Sequence, residues 1–540
     1  MIPTANAHVL PPCIHVDSSA SASPCTPNDR KWVLIAIILG SSLAFMDSSV
    51  VNVALPRLQA AFQGTSGSIQ WIVQSYALFT ASLLLPGGAI GDRYGRRRIF
   101  IWGIVIFALA SVACALSLSL AMLVASRIIQ GIGAALLIPQ GLSILSASFP
   151  ADQRGRAIGT WSAWTSVFAA LGPVAGGWLI QIWSWRLIFL LNVPIAMVVV
   201  LLSPRIPESR SAGDGEMARP LDRLGAALAT LAFAALIYAL SFAPEFGWHS
   251  PKVILVFMTG LVLLAAFLWS QSKRTNAMIP LSLFRIPRFL AANLLTFLLY
   301  GALTGALYVT PFYLIQVRHY APVAAGAVFL PLIALMFVFS ARVGDLIPRI
   351  GERVLLALGA ALAGAGFIAF ALLDQQQSYV FGILPGVLLL GAGMTCAVAP
   401  LTTAVMSSVL DHQTGIASAV NNALSRMGGL LAVSVLSLVL AHGFAVSLQR
   451  QLDRSGLPVE ARNQMVAGKS RIHDIPIPAG LTEEQRIRAT SILDMSFLSG
   501  FRLVMFSCAF TSLAGAVVVL VLLRNPTREH DEEGTQPATA

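Results

Sequence analysis

Charged side chains are scarce in this sequence. Asp, Glu, Lys and Arg make up 11% of the 540 residues, whereas they make up about a quarter of an ordinary soluble domain. This scarcity excludes a chain whose whole surface meets water. Segments of alternating apolar and polar residues are also missing, which argues against membrane-spanning strands. The composition is typical of a helical membrane protein.

The residue types that serve enzymes and metal sites are few and scattered. The five cysteines show neither a metal-ligand spacing nor an evident pairing, and the eight histidines lie in predicted tails, loops or span ends. No Ser/His/Asp arrangement stands out, so we expect neither enzymatic activity nor a cofactor or metal. Residues 1–29 lack a basic start followed by an apolar core, and we predict a disordered tail rather than a signal peptide.

Long apolar runs are what the chain has in abundance. Hydrophobic residues make up 56% of it, and runs of about twenty residues, enough to cross a bilayer core, recur along its length. Backbone groups in lipid must be paired within their own segment, so these runs are predicted to be helices of an all-α membrane protein. The fourteen predicted spans are 32–55, 69–90, 99–118, 120–145, 156–180, 185–203, 222–242, 251–271, 289–316, 322–343, 353–373, 379–402, 412–441 and 496–523.

The basic residues indicate how these spans are oriented. The net charge of +11 comes mostly from Arg and Lys in the tails and in alternate short loops, which is the pattern of cytoplasmic segments. We therefore expect both termini in the cytoplasm and the chain in a plasma membrane, the bacterial inner membrane being the expected location. Since orientation accounts for the charge, nucleic acid is not expected as a partner.

An internal repeat organises the chain. A shift of 260 positions lays Gly131, Gly133 and Gln153 on Gly391, Gly393 and Gln413, and a looser match sets DRYGRR at 92–97 against PRIGER at 348–353. The predicted parts are a tail at 1–31, a six-helix bundle at 32–203, linkers with two extra helices at 204–288, a second six-helix bundle at 289–523 and a tail at 524–540. The second bundle includes a loosely ordered outer loop at 443–495.

An acid lies inside the first apolar run. Asp47 and Arg127 are predicted at matching depth, each roughly 10–14 Å below the outer surface at about 1.5 Å per residue. A charge in the membrane interior costs at least about 2.5–3.5 kcal/mol, so such residues usually face a protein cavity and pair with one another. Movement of the arginine would then change how tightly the acid holds a proton. The alternatives are an Asp47 that caps an early helix end and an Arg127 that reaches outward to the interface.

The segment GGAIGDRYGRRR, residues 87–98, combines close-packing glycines, an acid and an arginine cluster at the predicted cytoplasmic edge. Asp92 can accept hydrogen bonds from neighbouring arginines or cap the N-terminus of a helix of the other half. Either contact would form a conformational latch. The alternative is a basic loop that follows the orientation rule. The predicted latch residues are Gly88, Gly91, Asp92, Arg93, Gly95, Arg96 and Arg97.

These segments resemble a known family. GGAIGDRYGRRR is similar to the loop between helices 2 and 3 of the major facilitator superfamily, and RIIQGIG at 127–133 to its fourth-helix signature. FMDSSVVNVALP resembles the first helix of its fourteen-span drug/proton antiporters, and GPVAGG at 172–177 the fifth helix of its antiporters. WSWRLIFLLNVP at 183–194 and LDRLGAAL at 221–228 also fit that group. The resemblance covers residues 30–525 and implies the major facilitator fold, two six-helix bundles plus two additional helices.

The resemblance gives further residues an expected role. Asp47 and Arg127 would couple proton movement, and an interbundle hinge would use Gly172, Pro173, Gly176 and Gly177, for which a generic small-residue packing seam is the alternative. A greasy substrate cavity is predicted from aromatic and polar residues, although most aromatics in a bundle face lipid or other helices. Its members are Asn52, Gln74, Tyr76, Gln130, Gln140, Trp164, Phe168, Tyr300, Tyr308, Asn422 and Arg426.

The predicted function is export of hydrophobic or amphipathic small molecules, such as drugs, in exchange for protons by alternating access. Facing the predicted cavity there are one acid, Asp47, and two arginines, Arg127 and Arg426. This charge balance disfavours divalent cations as cargo. The alternatives are a dedicated exporter of one metabolite, lipid or siderophore, and a non-transporting membrane sensor or scaffold. Expected partners are the cargo, protons and membrane lipid, and the sequence leaves open a periplasmic adaptor protein.

Overall fold

The structure is a computed structural model. It describes residues 27–63, 66–208, 222–247, 250–274, 277, 279–320, 322–373, 378–410, 413–467 and 481–523. The predicted tails at 1–26 and 524–540, most of the linker before the seventh span and the middle of the predicted outer loop lie outside these residues.

Every regular element in the described residues is a helix. The helices are α1 Pro27–Phe62, α2 Ser66–Tyr94, α3 Arg96–Ala115, α4 Leu120–Ser148, α5 Ala151–Ile182, α6 Leu187–Leu190, α7 Asn192–Leu202, α8 Arg223–Phe246, α9 Pro251–Lys273, α10 Pro287–Phe312, α11 Pro322–Ala327, α12 Leu330–Ile350, α13 Glu352–Ala371, α14 Leu384–Ser407, α15 Thr414–Asp453, α16 Val459–Ala467 and α17 Glu483–Leu522. Short π-helical turns, Tyr313–Val317 and Tyr379–Ile383, adjoin α10 and α14.

Fourteen helical segments of the described chain are long and apolar enough to cross a membrane. The predicted number of spans is confirmed, because bilayer thickness sets a length that apolar runs reveal directly. The sixth span is interrupted: α6 ends at Leu190 and α7 begins at Asn192. Pro194 lies in the first turn of α7, where its missing N–H removes no intrahelical hydrogen bond.

The helices belong to two compact units. The first comprises Met1–Ala234, Leu263–Leu281 and Met406–Asn422, and the second the remaining segments. These bounds differ from the predicted domains, since the two extra helices, α8 and α9, are each divided between the units. In the first unit, α1, α3, α4 and α7 surround an apolar core that includes the fully buried Phe100, Phe107 and Val199.

Glycines at equivalent repeat positions bring neighbouring helices close together. A Cβ on Gly133 of α4 would lie 2.9 Å from the carbonyl oxygen of Gly103 on α3, and a Cβ on Gly393 of α14 would lie 2.7 Å from that of Gly359 on α13. Each crossing therefore requires a residue without a side chain. The two crossings make equivalent contacts, which agrees with the internal repeat.

The prediction of a loosely ordered outer loop at 443–495 is wrong over its described part. Helix α15 continues to Asp453, α16 follows, and α17 begins at Glu483, so the last two spans extend as a helical hairpin. Small residues hold the hairpin together: a Cβ on Gly443 would lie 2.9 Å from the Cα of Gly500. Its polar residues indicate a solvated surface, and helices can carry such a surface as well as loops can.

The start of α17 and the middle of the hairpin are fixed by polar contacts. Thr482 and Gln485 form a capping box, in which each side chain accepts from the other residue's backbone N–H. Between α15 and α17, the Gln451 Nε2 donates to Ser496 Oγ over 3.2 Å. These hydrogen bonds pair backbone and side-chain polar groups that would bond to water in a disordered loop.

Candidate functional site

Asp47 and Arg127 form a fully buried ion pair in the first unit. Asp47 lies in the middle of α1, which continues through Pro56 to Phe62, and Arg127 lies in the N-terminal half of α4. Arg127 Nη1 donates to Asp47 Oδ2 over 2.5 Å, and both side chains are 0% exposed. The alternatives of an early helix end at Asp47 and of an outward-reaching Arg127 are therefore excluded.

Backbone, amide and ring contacts hold the guanidinium of Arg127. Its Nε donates to the carbonyl oxygen of Ile72 over 2.9 Å, and its Nη1 also donates to Gln130 Oε1 over 2.7 Å. The ring of Tyr76 lies 4.2 Å from the guanidinium carbon, close enough for a cation–π interaction. Removing either partner of a buried pair costs about 3–5 kcal/mol, because the other charge is left uncompensated.

Two amides complete the hydrogen bonding of Asp47. Gln130 Nε2 donates to Asp47 Oδ1 over 3.0 Å, and Asn192 Nδ2 donates to the same oxygen over 3.2 Å. Both amides also donate to Ser111 Oγ, which in turn donates to the carbonyl oxygen of Phe107. The carboxylate thus receives hydrogen bonds from one cation and two neutral amides.

Asn192 and Ser111 are members of this site that the sequence analysis did not single out. The only available signal was the position of Asn192 in WSWRLIFLLNVP, two residues before Pro194. A single uncharged amide or hydroxyl in an apolar run is common and does not stand out. The interruption between α6 and α7 places Asn192 at the first position of α7, where it is fully buried.

The structure places three residues of the predicted substrate cavity in the packed interior of the first unit instead. Tyr76 is 2% exposed and its hydroxyl donates to the carbonyl oxygen of Ala44. Gln130 belongs to the Asp47 site, and Gln140 donates to the carbonyl oxygen of Gly87 on α2. The cavity prediction was wrong for these three because a sequence does not show which face of a helix points into its own bundle.

The other predicted cavity residues are more accessible. Trp164 is 42% exposed and its ring lies 6.4 Å from that of the partly buried Phe168, and Tyr308 is 37% exposed. Half-buried positions are occupied by the side chains of Gln74, Tyr300, Asn422 and Arg426. The side chain of Asn52 lies outside the described ones.

Asp92 makes both kinds of contact expected of a latch. Its Oδ1 accepts from Arg96 Nε over 2.9 Å, and its two oxygens accept from the backbone N–H groups of Gly415 (3.2 Å) and Ile416 (3.0 Å). These two amides lie in the first turn of α15, where no intrahelical acceptor is available. The helix dipole adds a favourable interaction with the carboxylate. Gly88 permits the approach, since its Cβ would lie 2.6 Å from the carbonyl oxygen of Gly415.

The remaining latch residues shape the segment between α2 and α3. Gly95 has φ = 107°, a conformation that side-chain-bearing residues rarely adopt. Arg97 Nη1 donates to the carbonyl oxygen of Ile206 over 3.2 Å, and the Arg93 guanidinium lies 5.3 Å from the ring of Tyr94. Gly91 packs directly against the side chain of Gln140.

The glycines of the predicted hinge face α1 of their own unit. A Cβ on Gly172 would lie 2.9 Å from the carbonyl oxygen of Met46, and one on Gly176 would overlap Val50. Their close contacts with α1 are those that the packing-seam alternative describes, and the role in an interbundle hinge stays a prediction. Gly177 is less constrained, with its nearest atom at 3.8 Å, and the side chain of Pro173 lies outside the described ones.

Comparison with known proteins assigns the family. Residues 37–433 match the sequence model described as Major Facilitator Superfamily. The chain belongs to the major facilitator superfamily. Among the described residues of this major facilitator chain, no cluster of three or more His, Cys, Asp or Glu has the arrangement of a metal site.

Its relatives include proteins named for drug resistance. The multidrug resistance protein Stp of Mycobacterium tuberculosis is 33% identical over 494 residues, covering 87% of this chain and 91% of the relative. The methylenomycin A resistance protein of Bacillus subtilis is 34% identical over 427 residues, covering 78% of this chain and 90% of the relative. The solved structure of the human organic anion transporter MFSD10 (TETRAN) matches with a TM-score of 0.59 and 14% identity, covering 92% of this major facilitator chain and 100% of the other. That likeness extends to the fold alone.

Proposed function

We propose that this transporter is a proton-coupled antiporter that exports hydrophobic or amphipathic small molecules by alternating access. The observation that carries the proposal is the buried pair of Asp47 and Arg127. A buried charge is costly in a membrane protein, and such residues commonly mark proton or substrate pathways. The names of the relatives, which refer to resistance against drugs and antibiotics, support the class of cargo.

Proton binding at Asp47 would neutralise the acceptor of the ion pair. Arg127 Nη1 would then lose its charged partner, while Nη1 keeps its hydrogen bond to Gln130 and Nε keeps its hydrogen bond to Ile72. The favoured arrangement of α1 and α4 would change, because a neutral carboxyl attracts a guanidinium far less than a carboxylate does. A proton taken up from the outer side and released to the inner side would thus drive the cycle, with no cofactor involved.

The contact of Asp92 with the first turn of α15 supports a cycle of two states. We propose that this latch holds the outward-facing state and opens in the other. A carboxylate that spans two chain segments 323 residues apart is suited to such a role because its hydrogen bonds form and break together. In this proposal the protein spans a plasma membrane, namely the inner membrane of a bacterium, and both termini lie in the cytoplasm.

The proposed cargo is neutral, anionic or singly charged. Within the first unit's buried site a single acid is already paired with Arg127, and Arg426 adds a second cation in the membrane part of α15. Such a balance does not favour a divalent cation, whose binding would need further acids. A dedicated exporter of one compound is the second candidate, which the relative named for methylenomycin A alone favours.

Efflux of a fluorescent lipophilic dye from proteoliposomes under an imposed pH gradient tests the proposal. We expect gradient-dependent dye movement in the wild type and its loss in Asp47→Asn. The control is Asp345→Asn, which removes an exposed acid at the end of α12. Gradient dependence that survives Asp47→Asn would contradict the proton assignment, and absence of any flux would favour a sensor or scaffold. Competition by unrelated drugs separates broad export from a dedicated exporter.

A further inference from the structure

Within the described part of the buried site, the side-chain amide of Asn192 acts as a hydrogen-bond donor and not as an acceptor. Its Nδ2 donates to both Asp47 Oδ1 and Ser111 Oγ, each over 3.2 Å. Its Oδ1 is buried and has no hydrogen-bond partner among the residues that the structure describes. A buried acceptor without a partner is costly and usually has a reason. The chemistry of the neighbouring acid supplies one.

A proton on Asp47 reverses what the carboxyl group needs. The carboxylate only accepts hydrogen bonds, whereas the carboxylic acid carries an O–H that must donate. Arg127 has no acceptor atom. Gln130 Oε1 already accepts from Arg127 Nη1 over 2.7 Å and from the Cys114 thiol over 3.8 Å. Of the three donors to Asp47, Asn192 therefore has the one unspent acceptor.

We propose that Asn192 is a switchable partner of Asp47, whose amide donates to the carboxylate and, after rotation of the side-chain amide, accepts from the protonated acid. The inference rests on the proposed function, because it assigns Asn192 a role in the proton binding of Asp47. Rotation exchanges Nδ2 for Oδ1 with no change of shape. The O–H of the protonated acid would then have an acceptor within the site.

The groups around Asp47 leave this role to Asn192. Of the titratable residues, Arg127 faces it from α4, and Cys114 on α3 and Tyr76 on α2 complete the site. The Tyr76 hydroxyl is engaged with the carbonyl oxygen of Ala44, and the Cys114 thiol with Gln130. Asn192, on α7, is the amide that touches both Asp47 and Ser111 while keeping an oxygen free of partners in the described chain.

Infrared difference spectroscopy of the purified full-length protein during acidification tests the inference. The carbonyl band of the protonated Asp47, identified by its loss in Asp47→Asn, should move to higher wavenumber in Asn192→Leu, because the acid's O–H then lacks its acceptor. Asn192→Ser is polar but too short to replace the amide, so it should also move the band to higher wavenumber. This variant replaces Asn192→Leu in the test if the leucine variant does not fold. Gln140→Leu removes another fully buried amide that bonds Gly87 instead, and should leave the band in place.

The outcomes distinguish the role of Asn192 from the assignment of the proton to Asp47. A band that stays at its wild-type position in both Asn192 variants overturns the role of Asn192 and leaves the proton assignment intact. A shift in Gln140→Leu as large as that in Asn192→Leu also overturns it, since the effect would then be general to lost amides. A wild-type protein without a band that depends on Asp47 overturns the proton assignment and the inference together.

Discussion

The first turn of α15 permits a direct test of the contact made by Asp92. A Cβ on Gly415 would lie 2.5 Å from the carboxyl carbon of Asp92, so Gly415→Ala cannot keep the carboxylate where it is. The N–H groups of Gly415 and Ile416 donate to that carboxylate and lie in a turn without intrahelical acceptors. We expect both amides to exchange with solvent faster in the variant.

The size of the effect follows from the bonds lost. A hydrogen bond to a charged acceptor contributes about 1.5–3 kcal/mol, and the higher helix propensity of alanine returns about 1 kcal/mol. The net loss is about 0.5–2 kcal/mol, which corresponds to roughly 2- to 30-fold faster exchange, as 1.4 kcal/mol is a factor of ten. Asp92→Asn, which keeps Gly415 and removes the charge, should change exchange in the same direction.

Hydrogen–deuterium exchange with mass spectrometry, read on a peptide over residues 413–420, provides the measurement. The control is Gly326→Ala, since a Cβ on Gly326 meets no atom within 4 Å. This variant should leave the peptide at its wild-type rate. If Gly415→Ala and Asp92→Asn also exchange at the wild-type rate, the carboxylate does not hold the helix start and the latch proposal fails.

Two further substitutions test a close helix crossing and a buried hydrogen bond, each read as the apparent unfolding temperature at a fixed heating rate. Gly172→Ala, whose Cβ would lie 2.9 Å from the carbonyl oxygen of Met46, should destabilise by about 1–3 kcal/mol through overpacking. Gly177→Ala should be nearly neutral, and equal effects would contradict the close approach of α5 to α1. Asp222→Ala removes the acceptor of the buried Gln271 amide and should cost about 1–3 kcal/mol. The exposed Asp345 is the comparison, and an Asp345→Ala effect of the same size would refute that reasoning.

The spans and the acid–arginine pair could be predicted because both depend on the membrane. An apolar run of fixed length is visible in any sequence, and so is a charge inside it, whose cost requires a partner. Asp47 and Arg127 were therefore identifiable from their depth alone. Asn192 and Ser111 were not, because neutral polar side chains in an apolar helix carry no comparable penalty when a partner is near.

The direction of side chains and the ends of helices were harder to predict. Tyr76 and Gln140 were assigned to a cavity, yet both lie in a packed interior, since one sequence does not show how a helix is rotated within its bundle. The extension of α15 and α17 depends on contacts such as Gly443 with Gly500, which are distant in sequence. Charge along these segments indicated contact with water and did not decide between loop and helix.

The unbroken length of α15 has a practical consequence. Its 40 residues extend about 60 Å at 1.5 Å per residue, roughly twice the thickness of a bilayer core. Its two ends must therefore emerge on opposite faces of the membrane. Arg454 is exposed and lies one residue beyond the C-terminal end of α15. A fluorophore attached there would lie on one side of the membrane. It would report on the first turn of α15, which is hydrogen-bonded to Asp92 on the opposite side.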